Sequence, residues 1–156
     1  VGLLRALAEM LPGGVHLIAD ANERCDLARA KWLANRCADM DVLWLEEPLP
    51  AYDAAGYAAL AAASPVAIAA GEHLQGAGEL APYLAAKSLA VVQPDLAMMG
   101  GITECLRTAE FAAHRGLGGA APFLTAVCGP CRRAPAPRPC APNEPAPGSP
   151  PSKVLT

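Results

Sequence analysis

Four acidic residues each follow a short apolar run, and they recur along the chain at nearly even intervals. They are Asp20, Glu46, Glu72 and Asp95, and the intervals between them are 26, 26 and 23 residues. About 25 residues is the length of one strand, one helix and two loops, so the period predicts a repeating βα unit. Parallel strands of such units end at one edge of the sheet, where a (β/α) barrel places its active site. We therefore expect these acids to share one site.

Three of these carboxylates, Asp20, Glu46 and Glu72, would repel one another at a common mouth unless a cation lay between them. A hard divalent ion such as Mg²⁺ prefers carboxylate oxygens. The ion could bind a substrate carboxylate and stabilise the negative charge that develops when an adjacent proton is removed. The alternative interpretation is that the acids cap helices or are solvated at loop ends. Glu47 is expected on the other side of its turn, as a supporting partner or a helix-end group, and His73 could touch substrate at the mouth.

Alternating strand-like and helix-like segments position these residues. The predicted fold class is α/β, a partial (β/α) TIM-type barrel with parallel strands and outer helices, because the chain has 156 residues and a complete barrel needs about 250. Cys25, Cys37 and Cys105 are interpreted as buried or half-buried thiols. The predicted strands are residues 15–19, 42–45, 66–70 and 89–93, and the predicted helices are residues 2–11, 26–38, 53–63, 79–86 and 103–114, with Asp53 and Thr103 as N-caps.

The character of the sequence changes after residue 121, which divides the chain into a barrel region, 1–121, and a tail, 122–156. The tail holds ten of the sixteen prolines, three of the six cysteines and a single acid, Glu144. Such a composition is typical of disordered or polyproline-like chain. A reading-frame change in a GC-rich gene would produce such a switch, and we state that origin as a hypothesis.

Composition excludes several classes of function. The formal net charge is −3, which gives no electrostatic reason to bind nucleic acid or an anionic membrane. No apolar run reaches the ~18 residues of a membrane span. The scattered cysteines do not suggest a disulfide framework, so the expected location is the reducing cytoplasm.

Four sequence blocks, taken in order, resemble a known family. The blocks DAN, WLEEPL, AAGEH and VQPDLAMMGGITE lie within residues 1–117 and are similar to the barrel domain of the mandelate racemase and muconate lactonizing enzyme branch of the enolase superfamily. Enzymes of this superfamily use a lysine or histidine base with Mg²⁺. The resemblance implies that Asp20, Glu46 and Glu72 ligate Mg²⁺ and that Asn22 lies near the substrate. It also implies that Asp95 orients a catalytic histidine on the next strand.

The implied reaction is removal of the proton alpha to a small carboxylate substrate, in the dehydration or racemisation of a sugar acid or 2-hydroxy acid. Homo-oligomers are possible in such a family. The chain departs from the family pattern in three ways. It has no histidine after His114, the usual lysine-bearing strand upstream is absent, and so is the small domain that closes over substrate. We therefore expect the chain to be inactive alone. The alternative is a non-catalytic α/β module that binds a ligand or a partner.

Overall fold

The computed structural model describes residues 2–10, 15–115 and 117–119, in which five helices alternate with five strands. The predicted tail, residues 122–156, lies outside this range, and the division at residue 121 remains a prediction. None of the helices in the described residues is long and apolar enough to cross a membrane. The helices are α1 (Gly2–Met10), α2 (Leu27–Ala38), α3 (Ala54–Ala61), α4 (Ala77–Ala85) and α5 (Ile102–Ala113), and the strands are β1 (Leu17–Asp20), β2 (Val42–Glu46), β3 (Ala67–Ala70), β4 (Val91–Val92) and β5 (Gly118–Gly119).

The sheet follows the order of the sequence. Each strand pairs in parallel with the next one along the chain, in the order β1-β2-β3-β4-β5. A helix connects each strand to its neighbour, so all the strands end at the same edge. This is the arrangement of consecutive units in a (β/α) barrel. The predicted fold class is therefore confirmed.

Two apolar layers fix the direction in which side chains point. The face of the sheet toward the helices buries the main core, and Leu45 in β2 and Tyr57 in α3 are both fully buried there. The opposite, inner face carries a second cluster of Trp44, Ala69 and Val91. Successive residues of a strand point to opposite faces, so Glu46 shares the inner face with Trp44. The three cysteines behave as predicted: Cys37 and Cys105 are buried and Cys25 is half-buried.

The helix ends confirm one predicted cap and correct another. Asp53 precedes α3, and its Oδ1 accepts a hydrogen bond from the backbone N–H of Gly56 at 2.8 Å. Thr103 is not an N-cap, because α5 begins at Ile102 and its N-cap is Gly101 at φ 133°. That backbone conformation strongly favours glycine, which explains why the helix starts before the threonine. Helix α4 also starts earlier than predicted, at Ala77, with Pro82 inside it.

Candidate metal centre

Three predicted ligands lie at the carboxyl edge of the sheet. Asp20 ends β1 and Glu46 ends β2, and their Cα atoms are partners in the parallel register. Glu72 follows β3 by two residues. Oε2 of Glu46 accepts a hydrogen bond from Nε1 of Trp44 at 3.1 Å, which holds this carboxylate over the inner face. The predicted spacing of the acids therefore places them on three neighbouring strand ends.

The surroundings of Glu72 disfavour the negative charge of its carboxylate. Burial is the largest cause, and the negative charges of Glu47, Glu46 and Asp20 add to it, while His73 acts in the other direction. Together they raise the pKa of Glu72 to about 7. Carboxylates that disfavour one another's charge in this way are the environment that a divalent cation stabilises. Carboxylate oxygens are the donors that Mg²⁺ prefers, so the chemistry of Asp20, Glu46 and Glu72 suits this ion. Their ligand atoms do not all lie within 4.8 Å of one another, and their role as Mg²⁺ ligands remains a prediction.

A buried acceptor on β4 extends the inner face. Gln93 directly follows β4 and, by strand alternation, lies on the same face as Val91. The residue is 4% exposed, and its Oε1 atom has no hydrogen-bond partner among the described residues. Buried acceptors are normally satisfied by protein, water or ligand. The inner face thus carries an unsatisfied buried acceptor one residue beyond β4, a feature that no pattern in the sequence indicates.

A second group of potential ligands lies on the same loops. Glu23, Glu47 and His73 each offer one ligand atom, and these three atoms all lie within 4.8 Å of one another. In the part of the chain that the structure describes, no other set of three does so. Glu47, expected as a supporting partner or a helix-end group, is 1% exposed and contacts His73. Glu23 lies only three residues after Asp20, but no spacing or motif in the sequence marks it as a ligand.

His73 supplies the imidazole of this second group. Its Nδ1 lies 2.8 Å from Oε2 of Glu47 and 3.8 Å from Oε1 of Glu72. Burial opposes a positive charge on the ring, but Glu47, Glu23 and Glu72 favour it, and the net effect raises the pKa of His73.

Asn22 is exposed at φ 42°, and its backbone N–H donates to Oδ1 of Asp20 at 2.8 Å. Contact of Asn22 or His73 with substrate remains a prediction.

Asp95 lies in the turn after β4. Its Oδ1 accepts hydrogen bonds from the backbone N–H groups of Ala97 at 2.8 Å and Met98 at 2.9 Å. No histidine within the described ranges contacts it, and His114 is exposed at the end of α5. In this structure Asp95 therefore organises its own turn, and its predicted pairing with a catalytic histidine remains a prediction.

A parallel sheet in sequential order, with carboxylates at its carboxyl edge, defines this chain as part of a (β/α) barrel with an acidic site. The chain belongs to the enolase C-terminal domain-like family, whose model matches residues 1–136. The family resemblance stated from the four sequence blocks is therefore confirmed.

Two curated relatives are acid-sugar dehydratases. The L-talarate/galactarate dehydratase of Salmonella typhimurium is 36% identical over 113 residues, covering 72% of this chain and 28% of the relative. The D-galactonate dehydratase of Ralstonia nicotianae is 42% identical over 93 residues, covering 60% of this chain and 24% of the relative. The chain thus spans less than a third of the length of either relative.

A solved structure gives the same assignment at the level of the fold. The L-talarate dehydratase from Polaromonas, complexed with Mg and L-glucarate, superposes with a TM-score of 0.74 at 34% identity. The match covers 86% of this chain and 37% of the Polaromonas chain.

Proposed function

We propose that this chain carries the Mg²⁺-binding part of an enzyme that removes the proton alpha to the carboxylate of a sugar acid or 2-hydroxy acid. The observation that carries the proposal is the placement of Asp20, Glu46 and Glu72 on three successive strand ends. The dehydratase relatives, one of them in complex with Mg and L-glucarate, support both the metal and the substrate class. They favour dehydration over racemisation.

The residues of this chain would hold the ion and orient the substrate. Asp20, Glu46 and Glu72 would supply the hard oxygen ligands that Mg²⁺ prefers. When bound, Mg²⁺ would supply positive charge to offset the negative charge that develops on the substrate carboxylate as the adjacent proton is removed. Asn22 lies on the β1–α2 loop and His73 on the β3–α4 loop, so both can approach a substrate from the same edge. Trp44 positions Glu46 through the hydrogen bond to Oε2.

Thermal unfolding with and without Mg²⁺ tests the metal site. We expect Mg²⁺ to raise the melting temperature of the parent chain. An ion that binds the folded state and not the unfolded state stabilises the folded state by mass action. In Glu46→Gln, one of the three carboxylates becomes neutral, and the Mg²⁺-dependent rise should disappear.

Glu110→Gln is the matched control. Glu110 is exposed on α5, so this variant loses the same charge away from the site and should keep the Mg²⁺ response. A parent chain whose unfolding curve is the same with and without Mg²⁺ would contradict a competent site.

A further inference from the structure

We propose that Glu23, Glu47 and His73 form a second divalent-metal site, suited to an ion that accepts an imidazole nitrogen. This goes beyond the proposed function, since none of the three belongs to the strand-end ligand set. Two ligand atoms that each lie about 2.1 Å from one ion are roughly 3 to 4 Å apart. The three candidate atoms lie within 4.8 Å of one another, so small side-chain movements would bring them around a shared ion.

The two ligand sets lie at the ends of the same three strands but are formed by different residues. Glu46 and Glu47 are consecutive, as are Glu72 and His73, and successive residues at the end of a strand point to different sides. Glu46 is held over the inner face by Trp44. Oε1 of Glu47 accepts instead from the backbone N–H of Gly71 at 3.4 Å. One turn thus presents one carboxylate to each site.

Glu23 is held against the β2–α3 loop. Its Oε1 accepts a hydrogen bond from the backbone N–H of Ala51, and the carbonyl of Ala51 accepts one from the hydroxyl of Tyr83 in α4. These contacts tie Glu23 to the β2–α3 loop and to α4. Its other oxygen, Oε2, has no hydrogen bond among the residues described, so it remains available as a ligand.

The group carries an excess of negative charge. Glu47 is 1% exposed, and within the described ranges its ion-pair partner is His73 alone, while Glu23 has none. Two carboxylates therefore face one imidazole. A divalent cation among the three ligand atoms would compensate both carboxylates. A set of one nitrogen and two oxygens favours Mn²⁺, Fe²⁺ or Zn²⁺, whereas Mg²⁺ prefers oxygen ligands alone.

Mn²⁺ is the probe for this site, because the six cysteines of the chain would bind softer ions through thiolate. Pulsed electron paramagnetic resonance of the Mn²⁺-loaded full chain should show modulation from the ¹⁴N nucleus of a bound imidazole. We expect this signal to disappear in His73→Ala. In Glu23→Gln, which keeps the contact between His73 and Glu47, the affinity for Mn²⁺ should fall at least tenfold, and this variant also serves if His73→Ala does not fold.

Two controls make the result specific. His114→Ala removes an exposed histidine and should keep the ¹⁴N signal, and Glu46→Gln should keep it while losing the Mg²⁺ response. The proposal is overturned if the parent chain shows no ¹⁴N modulation, or if the modulation survives in His73→Ala. A retained ¹⁴N signal without any Mg²⁺ effect on unfolding would reject the proposed function and leave this second site intact.

Discussion

Nδ1 of His73 lies 2.8 Å from Oε2 of Glu47, a carboxylate that is almost completely buried. The two residues are 26 positions apart, and the contact joins the loop after β2 to the loop after β3. A hydrogen bond to a buried charged group contributes more to stability than one between neutral groups. His73 is partly exposed, however, so solvent screens part of the interaction.

A double-mutant cycle measures this contact. We expect Glu47→Gln and His73→Ala to be non-additive, with a coupling free energy of about 1 kcal/mol in urea unfolding without added metal. Pairing His73→Ala with Glu110→Gln gives the control, because distant sites that share no partner should add. Additive effects in the Glu47 and His73 cycle would mean that the contact contributes nothing to stability.

The sequence predicts the strand-end acids but not the contacts among Glu23, Glu47 and His73. The period of the acids predicted the strand ends, because strand, helix and loops have characteristic lengths. The pairing of Glu23 with Glu47 and His73 has no such period. It depends on the conformation of three loops, including positive φ values at Glu23 and Glu47, which local sequence did not predict. Family resemblance gave roles to Asp20, Glu46 and Glu72 but none to Glu23.

The start of α5 was mispredicted for a related reason. Threonine is a common N-cap, yet Gly101 takes that position because its backbone has a φ of 133°. The turn that enters α5 therefore places the N-cap two residues before the predicted one. The sequence could not predict the unsatisfied acceptor of Gln93 for a different reason. A buried acceptor without a partner is recognised only once the packing around it is known.

Alanine at Gly56 should lower the free energy of unfolding, whereas alanine at Gly78 should raise it. A Cβ at Gly56 would lie 2.1 Å from Oδ2 of Asp53, whereas a Cβ at Gly78 meets nothing within 4 Å. Alanine should therefore stabilise α4 by about 0.5 to 1 kcal/mol at Gly78. At Gly56 it must displace the N-cap of α3, which costs about 1 kcal/mol.

Chemical unfolding of both variants should give Gly56→Ala a free energy of unfolding at least about 1 kcal/mol lower than that of Gly78→Ala. Asp53→Ala is the background that isolates the cause. Once the cap is removed, Gly56→Ala should no longer destabilise the chain. Equal effects of the two alanines in the parent chain would show that the Asp53 cap yields without loss.

Removing the hydroxyl of Tyr57 should lower the free energy of unfolding, because this hydroxyl holds the loop that follows β2. Tyr57 is fully buried, and its hydroxyl donates to the carbonyl of Leu49 at 2.7 Å. Tyr57→Phe leaves that buried carbonyl without this donor, at a cost of about 1 to 3 kcal/mol. Tyr52→Phe is the matched control, because Tyr52 is 89% exposed and should change stability by less than about 0.5 kcal/mol. Two equal free energies of unfolding would contradict the buried hydrogen bond.

The isolated chain should not dehydrate or racemise sugar acids at a useful rate, even with Mg²⁺ present. Proton removal needs a positioned base, which typically contributes roughly 10² to 10⁴-fold. Asp95 does not supply one, because its Oδ1 already accepts two backbone hydrogen bonds and no described histidine contacts it. His73 is held toward Glu47 instead.

Turnover assays with a panel of sugar acids and Mg²⁺ test this expectation. Single and multiple turnovers should both be undetectable above the reaction without protein, in the parent chain and in Asp95→Asn alike. Multiple turnovers that Asp95→Asn abolishes would contradict the expectation and would make Asp95 part of an active proton-transfer pair. Turnover that survives Asp95→Asn but is lost in His73→Ala would instead identify His73 as the base, because its ring is the one described imidazole that lies beside the strand-end carboxylates.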